Sequence, residues 1–255
     1  MTLSGHWRLL DLSYPSAYQN LALEEALARS NGSVSMPTIR TWINPLAVVV
    51  GRFQEVSAEV DVDLCQQNSI EIGRRFTGGG TVFHDKGNLN LTIVTPRQEG
   101  MSLSRLNEIN CTVILNLLDQ LGVESKFVSP NSIEISGRKV SGAAAALGRN
   151  FAFWHASILV STNTDLLNQA LLPGKVPKQT KFIRSRWRPV VTLEKALGER
   201  VELEDVKHQL VRSCARSYEV GLEVGKLSIE EERLMESLHA RKYRTSEWNF
   251  QGVCG

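Results

Sequence analysis

Several chemistries are excluded by what this chain does not contain. Its four cysteines, Cys65, Cys111, Cys214 and Cys254, are far apart and show no Cys-x-x-Cys spacing. They encode neither a metal framework nor a disulfide scaffold. No apolar run approaches the roughly 20 residues that cross a bilayer. The first twelve residues lack the basic-then-apolar order of a secretory signal, so the cytoplasm is the expected compartment. Charge of one sign is also missing. The 29 basic and 27 acidic residues leave a net charge of +2, without the basic excess of a general nucleic-acid binder. There is no internal repeat, low-complexity tract or convincing linker. The Gly-Lys-Ser/Thr ending of a phosphate loop is absent, and so is a Gly-x-Gly-x-x-Gly dinucleotide fingerprint.

What remains is a chain of 255 residues, 42% hydrophobic and 22% charged, the balance of a soluble globular protein. Ser16-Ala17-Tyr18-Gln19 reads as a capping box opening a helix through Arg29, with Gly32 as its stop. Strands are expected at Ile39–Trp42, Ala47–Phe53 and Ile70–Arg75. Leu89, Leu91 and Ile93 alternate with Asn90 and Thr92, which predicts a half-buried strand. Leu106, Ile109, Val113, Leu117 and Leu121 repeat at helical spacing, closed by Gly122. A hairpin pairs Ser132–Ile135 with Arg138–Ser141 through the turn Ser136-Gly137, and Phe151–Val160 reads as a further buried strand. Helices follow at Leu203–Tyr218 and Ser228–Tyr243, the last opened by Ser228-x-x-Glu231. Short loops between strands favour a single mixed α+β domain over residues 1–255.

Three stretches carry candidate chemistry. In the first, Arg74-Arg75-Phe76 runs into Thr77-Gly78-Gly79-Gly80 and on to His84-Asp85. Consecutive glycines let backbone N–H groups converge on an anion, and arginines add fork-shaped donors. A glycine-rich hairpin with solvated arginines fits the same residues. The second is Gly137-Arg138-Lys139-Val140-Ser141-Gly142 followed by Ala143–Ala146. Its lysine can meet a phosphate or carboxylate without steric obstruction, or be a plain surface hairpin lysine. The third holds Lys175, Lys178, Lys181, Arg184, Arg186 and Arg188, six cations in fourteen residues with no acidic residue. It suits closure over a polyphosphate, docking of an acidic partner, or solvent.

Together with Lys-Tyr-x-Thr-x-Glu-Trp-Asn at 242–249, these stretches resemble the lipoate–protein ligase A family in order and separation, over nearly the whole chain. The resemblance implies a biotin/lipoate ligase catalytic domain, with a mixed sheet and flanking helices, related to class II aminoacyl-tRNA synthetase cores. Carried over by position, Lys139 would be catalytic, touching the acyl carbonyl and the α-phosphate. Arg74, Thr77, Gly78, Gly79, Gly80, Val82, His84, Asn131, Ser141, Gly142, Ala143 and His155 would bind lipoate and its adenylate. Lys178, Lys181, Arg184 and Arg186 would belong to an ATP loop. Val48–Val50 and Ala143–Ala145 suit either an apolar acyl slot or plain core. The family commonly has Asn-Asp where this chain reads Asn131-Ser132, so no protein metal ligand is assigned.

The implied cofactors are ATP and Mg²⁺, with lipoate as substrate. The implied partners are acceptor lipoyl domains: the E2 component of 2-oxoacid dehydrogenases, the glycine-cleavage H protein or a related lipoate carrier. Neither nucleic acid nor membrane is implied. Larger relatives have a C-terminal accessory domain, and a separate accessory subunit is expected in its place. One rival is an octanoyl or lipoyl transferase working through a cysteine thioester, for which Cys111, within a helix, is poorly placed. Biotin ligation lacks its Gly-Arg-Gly-Arg type of loop here, and a non-catalytic lipoyl-binding subunit is the remaining alternative.

Overall fold

The computed structural model describes residues 5–30, 36–172 and 183–253. Its first strand and helix are β1 (His6–Asp11) and α1 (Ala17–Ser30), followed by β2 (Thr38–Trp42) and β3 (Ala47–Val50). Two short helices, α2 (Val56–Glu59) and α3 (Val62–Gln67), lead to β4 (Glu71–Arg74), β5 (Val82–His84) and β6 (Asn88–Pro96). Helix α4 (Leu103–Gln120) precedes β7 (Lys126–Val128), β8 (Ser132–Ile135), β9 (Arg138–Leu147) and β10 (Phe151–Leu159). The chain ends with α5 (Thr164–Ala170), α6 (Leu193–Leu197), α7 (Leu203–Tyr218), β11 (Gly221–Val224) and α8 (Ile229–Leu238).

Eight strands form one mixed sheet in the order β11-β1-β2-β6-β10-β9-β8-β7, and β4-β3-β5 form a second, smaller one. Among the described residues only β1 pairs in parallel within the large sheet, with β11 and β2; the remaining pairs there are antiparallel. The α+β expectation therefore holds. On one face of the large sheet, Leu89, Leu91, Ile93, Trp154 and Ile158 bury against Val113, Leu117, Leu210 and Cys214 of α4 and α7. On the other face, Leu10, Val94 and Phe153 meet α1, with Met235, Tyr243 and Trp248 behind it.

That second cover corrects the half-buried reading of β6. Asn90 is 2% exposed and Thr92 fully buried, because the face that period-2 alternation assigns to solvent faces α1 and a cleft instead. The capping box at Ser16 is also corrected. Glu71 of β4 accepts the Ala17 N–H at 2.6 Å and the Ser16 hydroxyl at 3.2 Å, so a tertiary carboxylate caps α1. Gly32 lies outside the described residues. The boxes at Ser228–Glu231 and the two-residue turn at Ser136-Gly137 form as read. Strands β1 and β11, at the sheet's far edge, carry too little alternation to be read in advance.

Candidate active site

A cleft of about 370 Å³ opens between the glycine loop after β4, the floor strands β6, β10 and β9, and residues 183–188. Gly79, Gly80, Val82, His84, Asn131, Lys139, Gly142, Ala143 and His155 all line it, as do Arg184 and Arg186. An adjoining recess of about 390 Å³ contains Ser141 and shares Lys139, Gly142, Ser157 and Arg186 with the cleft. Lys139 thus stands where the two spaces meet. Lys178 and Lys181 lie outside the described residues.

Several constraints fix Lys139. Ser136 (φ 49°) and Gly137 (φ 76°) adopt the left-handed conformations of a tight hairpin turn. The backbone N–H of Lys139 donates to Pro189 O at 2.8 Å, and its carbonyl accepts from Val191 N at 3.0 Å. The side chain then crosses Gly142, where a β-carbon would lie 2.4 Å from Nζ. A side chain at this position would push the ammonium out of the place it occupies. Among the described residues no carboxylate forms an ion pair with Nζ, since Glu134 is engaged by Arg188 at 2.6 Å. Burial, with Arg188 and Arg75 nearby, pulls the Lys139 pKa down to about 8. Such a site favours an anion.

Arg75 shapes the glycine loop. Its Nη2 donates to Gly78 O (2.7 Å) and Gly80 O (2.6 Å), Nη1 to Val49 O (3.1 Å), and Nε to Thr77 Oγ1 (3.0 Å). In a trans peptide C=O and N–H point oppositely. Drawing the Gly78 carbonyl to the guanidinium therefore turns the Gly79 N–H away from Arg75, with Gly79 itself at φ 89°. The Thr81 N–H donates to Ser185 Oγ at 2.9 Å, and a β-carbon on Gly80 would sit 2.9 Å from that oxygen. Ser185 also accepts from Gln54 and donates its N–H to Glu59. The described end of the basic segment is thereby pinned against the glycine loop.

Two neutral histidines flank the cleft floor. Asn20 donates to Asn44, and Asn44 Nδ2 lies 3.1 Å from His84 Nδ1, so Nδ1 accepts and the proton sits on Nε2. Burial, His155 and Arg75 lower the His84 pKa to about 3. His155 bridges Glu24 through Nδ1 (2.9 Å) and Thr77 through Nε2 (2.9 Å). Burial lowers its pKa more than Glu24 raises it, which fits a neutral ring donating from Nδ1. Glu24 is paired in turn with Arg40 at 3.2 Å and accepts from Thr92 at 2.7 Å. Sequence reasoning missed Asn20, Glu24, Arg40, Trp42 and Asn44. The available signal was the acidic pair Glu24-Glu25 inside the otherwise apolar run of residues 21–28.

Arg74, Thr77 and Gly78 do not line the cleft, which corrects their expected placement. Neighbouring residues on a strand face opposite sides, so Arg74 and Arg75 cannot both reach it. The Arg74 guanidinium is buried and donates to the carbonyls of Gly51, Arg52, Gln54, Trp248 and Phe250 at 2.7–3.2 Å. Asn249 accepts its backbone N–H and Trp248 Nε1 donates to its carbonyl. The 242–249 motif is a clasp holding the C-terminal segment to β4, reinforced by Lys242 paired to Glu25 at 2.7 Å. Thr77 acts through His155, and Gly78 offers its carbonyl to Arg75.

Residues 16–215 match the lipoyl protein ligase A/B catalytic domain model. The chain is 31% identical to lipoate-protein ligase A subunit 1 of Thermoplasma acidophilum, covering 95% of each. It superposes on a structure of the bipartite lipoate protein ligase from that organism, described with its E2 lipoyl domain, with a TM-score of 0.87, 29% identity and 98% of each chain covered. A lipoate-protein ligase A bound with ATP gives a TM-score of 0.87 at 28% identity, covering 97% of this chain and all of that one. The chain is also 29% identical to octanoyltransferase LipM of Symbiobacterium thermophilum, over 98% of this chain and 100% of that protein.

Proposed function

The chain belongs to the lipoyl protein ligase A/B catalytic-domain family, and we propose that it is an ATP-dependent lipoate–protein ligase acting through lipoyl-AMP. The observation that carries this reading is Lys139, a half-buried cation without a carboxylate partner among the described residues, at the junction of two recesses. We assign the acyl chain to the cleft beside Trp42, Val49 and Ala144, and the nucleotide to the recess beside Phe83, Leu167 and Trp187. A carboxylate oxygen of lipoate attacks the α-phosphorus and pyrophosphate leaves. An acceptor lysine amine then attacks the acyl carbon, AMP leaves, and the amine proton passes to solvent. Both steps build negative charge on oxygen beside Lys139 and the Gly79 N–H, where fixed donors lower the barrier.

Mg²⁺ supplies charge neutralisation on the triphosphate. Among the described residues no cluster of three His, Cys, Asp or Glu side chains could hold a metal, and the cleft lining offers Asn131 and Ser132 as hard oxygen donors. These fit an ion held chiefly by substrate phosphates and water. Intact-mass measurement of a lipoyl domain after incubation with ATP, Mg²⁺ and lipoate tests the reading. An unmodified acceptor in the presence of any required subunit would refute it.

The thioester alternative predicts a reactive thiolate. Cys65, Cys111 and Cys214 are buried and line neither recess, and burial pushes Cys65 up to about 11 and Cys111 to about 12. Replacing each of the four cysteines singly by Ala or Ser should preserve lipoyl transfer, with a stability loss of roughly 1 kcal/mol at buried sites. Complete inactivation of one folded variant would favour a transferase.

The basic segment is proposed to cover the nucleotide. Changing Lys178, Lys181 and Arg184 together to Ala should raise the KM for ATP more than that for lipoate. A loss confined to acceptor affinity, steeply salt-dependent, would identify a docking surface instead. Similarity to one half of a bipartite ligase supports a requirement for an accessory subunit. Transfer from synthetic lipoyl-AMP should then proceed with this chain alone, while reaction from ATP and lipoate should be slow. Equal single-turnover rates would show that no second subunit is needed.

A further inference from the structure

Asn88 and Asn90 are two apart on β6, so both side chains leave the same face of the sheet. They join head to tail, Asn88 Nδ2 donating to Asn90 Oδ1 at 3.0 Å. The amide nitrogen of Asn90 has no hydrogen-bond partner among the described residues, although Asn90 is only 2% exposed and lines the cleft. Trp42 Nε1 donates to Thr92 and His84 Nδ1 meets Asn44, while Asn88 Oδ1 is likewise without a partner among the described residues, so the buried amide pair has one donor and one acceptor to spare. A buried donor without a partner is a standing cost to the fold, and it is understandable where a bound molecule completes the bond.

The register shows which part of a bound molecule that would be. Trp42, Asn90, Ser157 and Gly142 form one row across β2, β6, β10 and β9. The Lys139 ammonium lies over Gly142. Two strand spacings, roughly 10 Å, therefore separate Asn90 from the cation. This is about the extended length of an eight-carbon acyl chain. A carboxyl group at Lys139 and a chain running along the row bring the distal end to Asn90, with the Trp42 ring beyond it. In lipoate that end is a dithiolane, whose sulfurs accept weak hydrogen bonds as a thioether does. In octanoate it is hydrocarbon and leaves the N–H unpaired.

We infer that Asn90 is the specificity-determining residue of the acyl slot, its amide N–H favouring an eight-carbon acid with an acceptor atom at the distal end over plain octanoate. The identity of the acid rests on the ligase reading; the selectivity itself does not depend on catalysis. Calorimetric affinities of hydrolysis-resistant lipoyl-, octanoyl- and 6-oxo-octanoyl-sulfamoyl adenosine, for wild type and the near-isosteric Asn90→Leu, test it. Wild type should bind the lipoyl and oxo compounds about five- to tenfold more tightly than the octanoyl one. Asn90→Leu should bring both ratios to about one. Equal affinities in wild type, or unchanged ratios in the variant, would overturn the inference. Should Asn90→Leu not fold, the three wild-type affinities decide alone. A protein that shows this preference yet modifies no acceptor would sink the ligase reading and leave the selectivity standing.

Discussion

Lys139→Ala should lower the rate of lipoyl transfer by about 10²-fold or more, while the protein should still fold and bind the apolar acyl chain. The backbone of Lys139, and not its ammonium, bridges to Pro189 and Val191, so truncation leaves the hairpin attached. What disappears is the cation at the junction of the two recesses. Single-turnover transfer from synthetic lipoyl-AMP measures the loss, and near-wild-type turnover would remove the mechanism. A pH dependence accompanies this prediction. The Lys139 pKa is depressed to about 8, so the free protein carries the full charge below that value and loses it as pH rises through it. The kcat/KM for ATP, which reports groups of the free enzyme, should fall above about pH 8 in wild type. In Lys139→Ala this component should be flat.

Arg74→Ala should fail in a different way, through the fold. One buried guanidinium bonds the carbonyls of Gly51, Arg52, Gln54, Trp248 and Phe250, and its removal takes five hydrogen bonds away at once, leaving Gly51 and Trp248 only their backbone donors, Gln54 and Gly252. The expected cost is about 4 kcal/mol, a fall in Tm of about 10 °C for a chain of this size. Arg74→Lys should restore little, because one ammonium cannot span donors that a planar fork reaches. At temperatures where Arg74→Ala stays folded, its affinity for lipoyl-AMP should remain close to wild type. A variant with unchanged Tm and lost ligand binding would return Arg74 to the cleft. Arg75, which carries the glycine loop, should show the reverse balance.

The contrast between these two arginines locates the limit of reading by motif. Arg74-Arg75 is one pair in sequence, and resemblance placed Arg74 at the ligand. Period-2 alternation divides the pair between a structural clasp and the cleft, but which face becomes the cleft depends on β3 and the loops around it. The motif at 242–249 reads as a family mark, and its physical work is to hold β4 in place from 175 residues away.

Other features were local and therefore legible. The Ser136-Gly137 turn, the capping box at Ser228, the amphipathic α4 and the triple glycine each depend on residues close in sequence, where backbone preference and periodicity act. The lysine at 139 and the glycine at 142 belong to one hairpin, so their joint placement followed from it. Sequence alone determined that this is a mixed α+β chain of the lipoate ligase family, and it singled out Lys139 and the glycine loop as the candidate chemical centre. Tertiary structure alone decided that Glu71 caps α1, that Glu24, paired with Arg40, reaches the histidine beneath the glycine loop, and that Asn90 faces the cleft instead of water. The reason is the same in each case. A polar side chain gives no local sign of whether it will be solvated or buried, since that depends on which distant element covers it. The register between strands far apart in sequence then sets which partner it meets.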